Sequence, residues 1–258
     1  MERTGGEGQP PSTPPPPMAP EPAAAAGHLL VLVHGLWGVP QQLRPLGEGL
    51  AARLTDAGGG GTKPVVLLSK ANALAKSREG IEACAGRLAE EVRAAVAGSE
   101  REGVPIEKIS FIGHSLGGLI SRRAIAMGHD EPSGKVFGAT PQVYSSIATP
   151  HLGAGNTTEV EVPVVDWLSA LPVVGGALKH VGRFAVYNVA NSLYGKSGQE
   201  VWAGSENDPE AAEVLLRLAD AAHLASLGEF RHRVVYSSAG RDHVSGWRGG
   251  TPSQTDRH

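Results

Sequence analysis

Ser115 is the residue around which this chain could build chemistry, because it sits in Gly113-His114-Ser115-Leu116-Gly117, a Gly-x-Ser-x-Gly pattern within KISFIGHSLGGLISRRAIAM, residues 108–127. A serine hydroxyl is a weak nucleophile until a base takes its proton, so it must project clear of the backbone toward that base. A sharp strand-to-helix turn does this. It also crowds the neighbouring backbone, so glycine is expected at Gly113 and Gly117. A helix starting directly behind the serine aims the amide of Leu116 at the point where negative charge would develop on an attacked carbonyl. In a chain with 35 glycines the pattern arises by chance about 0.3 to 0.4 times, so its flanks must decide. Upstream, Ile109, Phe111 and Ile112 predict a buried strand; downstream, Leu119, Ile120, Ala124 and Met127 recur at helical spacing with Arg122 and Arg123 on the other side.

The elements that must position this serine follow from the same reading. His28–Val33, HLLVLV, is a continuous apolar run and predicts a central strand of a parallel sheet. It ends at His34-Gly35-Leu36-Trp37-Gly38, where a glycine lets the backbone approach a substrate, so the amide of Leu36 or Trp37 is the candidate second donor to an oxyanion. Leu43–Leu54 predicts a helix and Pro64–Ser69 a strand; the glycines at 58–61 between them lack Gly-Lys-Ser/Thr and predict a surface loop, not a phosphate loop. From Ser77 to Ala97, Ile81, Cys84, Leu88, Val92 and Val96 line one helical face, with Glu82, Arg87, Glu90 and Arg93 outside. Val143–Ala148 predicts a strand entering Thr149-Pro150-His151-Leu152-Gly153. Asp208-Pro209-Glu210 predicts a helix start, running through Leu215, Leu216, Leu218 and Ala222. Arg233–Ser237 predicts a last strand feeding Gly240-Arg241-Asp242-His243. Strands alternating with helices give the α/β class: a mostly parallel sheet flanked by helices.

Composition bounds the rest. A chain of 258 residues with 41% hydrophobic residues suffices for one sizeable domain, expected over 27–250. A net charge of −3 without a basic stripe argues against nucleic acid as a partner. The single cysteine, Cys84, excludes an internal disulfide and reads as a small buried helix residue. Residues 1–26 are proline-rich and free of aromatics, and predict a disordered leader without the apolar core of a secretory signal; 251–258 predict a disordered tail. A cytoplasmic location is expected. Residues 160–193 are rich in Val, Leu and Trp but broken by Pro163, Pro172 and Gly175-Gly176 and charged at Asp166, Lys179 and Arg183, so they predict either a cap within 154–207 or ordinary helices packed on the sheet, not a membrane span. No metal-ligand set or dinucleotide fingerprint occurs, so no cofactor is expected.

Taken in order, HGLWG, GHSLGGL, ATPHLG and RVVYSSAGRDHVSGWR resemble the serine esterase and lipase family of domain of unknown function 676 (DUF676), which includes yeast lipid-droplet-associated lipases. The likeness spans roughly residues 28–250. It implies an α/β-hydrolase fold, activity on lipid or other acyl esters, Ser115 as nucleophile and Asp242 as triad acid, with a membrane or lipid-droplet surface as the place of action. The family order puts the histidine one helix and one strand after the acid. Only 16 residues (258 − 242) follow Asp242, and they hold no apolar run, so the last strand is expected to be missing. Three readings stay open: a truncated product, an unusual histidine, or an inactive hydrolase fold that binds an acyl chain or a partner.

His243 is the best-placed histidine in order, although neighbours on an extended segment point to opposite sides and Asp242 is next to it. Asp166 is the alternative acid if His243 is the base. His258 is terminal, His151 lies at a strand end and reads as structural, and His34 and His114 shape the turns. Acyl transfer to an alcohol other than water would use the same serine.

Overall fold

The computed structural model describes residues 26–56, 62–153, 194–201 and 209–237. In chain order these form β1 (Gly27–Val33), α1 (Arg44–Asp56), β2 (Lys63–Leu68), α2 (Ile81–Arg101), β3 (Ile106–His114), α3 (Leu116–Gly128), the two-residue strands β4 (His129–Asp130) and β5 (Lys135–Val136), and β6 (Thr140–Ile147). A helix over 194–201, α4, follows. Then come α5 (Pro209–Arg217), α6 (Ala221–Gly228) and β7 (His232–Tyr236). Five strands make one sheet in the order β2-β1-β3-β6-β7, every neighbouring pair parallel. All five therefore end at the same edge, where β3 delivers His114 and Ser115.

The layers follow from the two-residue period of β1. Leu29, Val31 and Val33 pack in one core with Ile81, Cys84, Ala85, Leu88, Ala89 and Val92 of α2 and with Leu116, Leu119, Ile120 and Ala124 of α3. Leu30 and Leu32 face the other way, onto Leu43, Leu50 and Leu54 of the α1 region and onto Ile112 of β3. A strand covered on both faces needs apolar residues throughout, which is why HLLVLV shows no alternation. Phe230 closes the larger core by meeting the rings of Phe111 and Tyr144 edge-on, at 6.2 and 6.3 Å between centroids.

Two helix boundaries differ from the sequence expectation, each for a polar reason. The helix expected from Ser77 begins at Ile81, because residues Leu74–Arg78 coil into a 3-10 turn and Gly80 reverses the chain at φ 98°. Its first amides are capped from a distance: Ser197 Oγ accepts from Gly80 N at 2.9 Å and the Glu200 carboxylate accepts from Ile81 N at 2.6 Å. The helix expected from Pro209 through Ala222 is two helices, because Asp220 turns its carboxylate onto the amide of His223 (2.9 Å) and starts α6 afresh. The leader, the glycines at 58–61, the tail and most of the expected cap lie outside the described residues. Among the described residues no helix is long and apolar enough to cross a membrane.

Candidate active site

Ser115 stands between β3 and α3 with φ 53° and ψ −129°, a backbone conformation that a residue with a side chain adopts only when its surroundings hold it there. Its neighbours do so from both sides. The Ser115 amide donates to Ile147 O of β6 at 2.8 Å, and its carbonyl accepts from Gly118 N at 3.0 Å and from Thr149 Oγ1 at 2.9 Å. The side chain is half-buried at the sheet edge.

The crowding inferred from the glycines is present. A Cβ at Gly117 would lie 2.2 Å from Val33 O, and one at Gly113 would lie 2.5 Å from Gly118 N. Gly35, after β1, is as close from the other side: a Cβ there would be 2.7 Å from Ser115 Cβ and 3.2 Å from Ser115 Oγ. The His-Gly loop therefore lies directly against the serine hydroxyl.

Of the two loop amides considered as oxyanion donors, Trp37 is corrected: its amide is spent on Ser77 Oγ at 2.8 Å. The Leu36 amide has no hydrogen-bond partner among the described residues, in a tight turn closed by Gly38 N donating to Gly35 O at 3.0 Å. Leu116 opens α3, and a helix has no carbonyl of its own for its first amides. Leu36, in the loop that meets the serine, and Leu116, next after it in the chain, are thus the candidate backbone donors.

The histidines separate clearly. His34 is buried and its Nδ1–H donates to Gly35 O at 2.9 Å, which fixes the loop; its Nε2 has no partner among the described residues. His114 is exposed at the end of β3. His151 is not a free imidazole: Arg122 Nη1 donates to its Nδ1 at 3.2 Å, so its proton lies on Nε2 and is given to Ser146 Oγ at 2.8 Å. Burial, and secondarily the Arg122 charge, push its pKa down to about 4. Asp242, His243, Asp166 and His258 lie outside the described residues. What the sequence reading did not assign is a role for Thr149, whose hydroxyl holds the Ser115 carbonyl; the signal for it is its place in ATPHLG at the end of a strand parallel to β3.

This chain belongs to the family described as "Putative serine esterase (DUF676)", whose match runs over residues 23–249. Its fold is accordingly an α/β-hydrolase core. It is 30% identical over 140 residues to the "Putative lipase ROG1" of Saccharomyces cerevisiae, a match covering 54% of this chain and 17% of that protein. The chain thus spans well under two thirds of that relative. Among solved structures it is similar to phospholipase PlaB from Legionella pneumophila in complex with thio-NAD, with 16% identity, a TM-score of 0.44, and 81% of this chain and 37% of that chain covered. It is also similar to carboxyl esterase 2 from the mycorrhizal fungus Tuber melanosporum, with 15% identity, a TM-score of 0.39, and 85% and 69% covered.

Proposed function

We propose that this chain is a serine hydrolase that cleaves carboxylic esters, lipid acyl esters above all, through an acyl-enzyme on Ser115. The observation that carries the reading is the strained Ser115 backbone at φ 53°, hydrogen-bonded on both sides, with the Gly35 loop packed against its side chain. In the proposed reaction Ser115 Oγ attacks the ester carbonyl while a histidine takes its proton. The carbonyl oxygen becomes an oxyanion held by the two amides, and the alcohol leaves with the proton. Water then attacks the acyl-enzyme by the same steps in reverse and frees the acid.

Asp242 and His243 are the proposed relay. β7 pairs Tyr236 with Ile147 at the serine's edge of the sheet, and Asp242 follows Ser237 by five residues, a span of at most about 18 Å when extended. His151 is not proposed as the base, because Arg122 occupies its lone pair.

The lipid preference is supported by three side chains on loops that leave this same edge: Trp37 after β1, Leu74 after β2 and Leu152 after β6, exposed to 42%, 54% and 63%. It is also supported by the lipase name of the yeast relative. Action at a membrane or lipid-droplet surface from the cytoplasm is part of the same proposal. The test is labelling with a fluorophosphonate probe. Wild type is expected to label and Ser115→Ala not, and activity on nitrophenyl esters is expected to rise from acetyl to longer acyl chains. Equal labelling of the two proteins would overturn the nucleophile.

A further inference from the structure

A second group of polar side chains joins α3 to the end of β6 and the end of α5. Arg122 is seven residues beyond Ser115, two turns along α3, and half-buried. Among the described residues it has no carboxylate partner. Its Nη1 donates to His151 Nδ1 at 3.2 Å and its Nη2 to Leu218 O at 2.5 Å, where α5 ends. His151 passes the constraint on by two routes: its Nε2–H donates to Ser146 Oγ, wholly buried on β6, and its amide donates to Thr149 O at 2.9 Å. Between those anchors lie Ile147, whose carbonyl receives the Ser115 amide, and Thr149, whose hydroxyl donates to the Ser115 carbonyl. Ala148, in the middle, has φ 49°, a second strained residue that a loose loop would relax.

We infer that Arg122 is a positioning residue for Ser115, acting through neutral His151 on the Ile147–Thr149 stretch that holds both faces of the serine peptide. The inference rests on the proposed role of Ser115 as nucleophile. The physical reason for an arginine is its fork: one planar cation reaches an imidazole on one element and a carbonyl on another, with the imidazole held in a single tautomer. A half-buried guanidinium with no carboxylate partner among the described residues is costly, and burial lowers its pKa. An apolar side chain would pack there at less cost but would leave Nδ1 of His151 unpaired and its ring free to turn.

The test compares wild type, Arg122→Gln, Arg122→Lys and Ser115→Ala at a temperature where circular dichroism shows each folded. Arg122→Gln is expected to lower kcat on nitrophenyl butyrate and the fluorophosphonate labelling rate by about 10- to 100-fold, with KM changed by less than about threefold. Arg122→Lys, which keeps the charge but not the fork, should recover part of the loss. Nitrogen-15 spectra of wild type should show His151 neutral with its proton on Nε2 at pH 6, and Arg122→Gln should raise its pKa. A folded Arg122→Gln protein with wild-type rates, a change in KM alone, or a wild-type His151 protonated on Nδ1 would overturn the inference. If Arg122→Gln does not fold, the Arg122→Lys rates and the wild-type tautomer decide. A wild type that keeps the Nε2–H tautomer yet reacts with no probe refutes the nucleophile, and the positioning role with it. A reactive wild type with an unaffected Arg122→Gln refutes the positioning role alone.

Discussion

Replacing Gly117 by alanine should damage the proposed chemistry far more than one added methyl suggests, and the structure gives the size of the effect. The new Cβ would sit 2.2 Å from Val33 O and 2.6 Å from His34 O, both backbone atoms that cannot rotate away. Reaching ordinary contact distance requires roughly 1 Å of movement between α3 and the end of β1. That movement separates the Leu116 amide, at the start of α3, from the Leu36 amide, two residues past His34. An oxyanion spans both, so kcat should fall about 100-fold or more while KM moves little. Overpacking of this kind costs about 1 to 3 kcal/mol, which lowers Tm by roughly 2 to 12 °C for a chain of this size. The assay is nitrophenyl butyrate turnover together with a thermal melt. A Gly117→Ala protein with wild-type kcat and Tm would refute the reasoning, because it would mean that the gap between β1 and α3 is not as narrow as described.

Other predictions follow from single contacts. Leu88→Ala, a fully buried residue of α2, should cost about 2 to 5 kcal/mol in a urea melt and leave the labelling rate of the folded fraction unchanged. Asp220→Ala removes the cap on α6 and should lower the midpoint of the same melt, again with labelling preserved. His151 is held neutral, with its pKa moved from 6.5 to about 4. Because the folded value lies below the unfolded one, the unfolded chain binds the extra proton first as pH falls. Stability is therefore full above about pH 6.5 and drops by about 3 kcal/mol on the way to pH 4, a dependence that His151→Asn should flatten in melts across this range. Glu200 shifts the other way, since burial raises its pKa. Its folded form prefers the proton, so its contribution weakens as pH rises above the ordinary glutamate range, and Glu200→Gln should remove that decline from the Tm profile.

The five strands of the main sheet and the turn at Ser115 were legible because they rest on local signals, whereas the two-residue pair β4 and β5 was not expected. HLLVLV has no polar interruption, IleSerPheIle leads straight into the glycines, and α2 repeats its apolar residues every three or four positions. What could not be read depends on partners far along the chain. The start of α2 is set by Ser197 and Glu200, more than a hundred residues away, and no pattern near Ser77 carries that information. Trp37 and Leu36 are indistinguishable as donors in the sequence, and only the position of Ser77 Oγ separates them. Asp220 falls inside the span that the apolar spacing predicts as one helix, because capping competes with helix continuation by a margin that spacing does not record. His151 could be recognised as a strand-end histidine, but its tautomer is dictated by Arg122, which the sequence placed merely on the outer side of α3.

The most direct measurement is the mass of the peptide containing residues 108–127 after rapid quenching of the protein with nitrophenyl acetate. The account predicts one acetyl group on Ser115, formed in a burst with nitrophenol release and absent from Ser115→Ala. Nitrophenol release undiminished in Ser115→Ala, or the acetyl group found on another residue in the wild type, would contradict it.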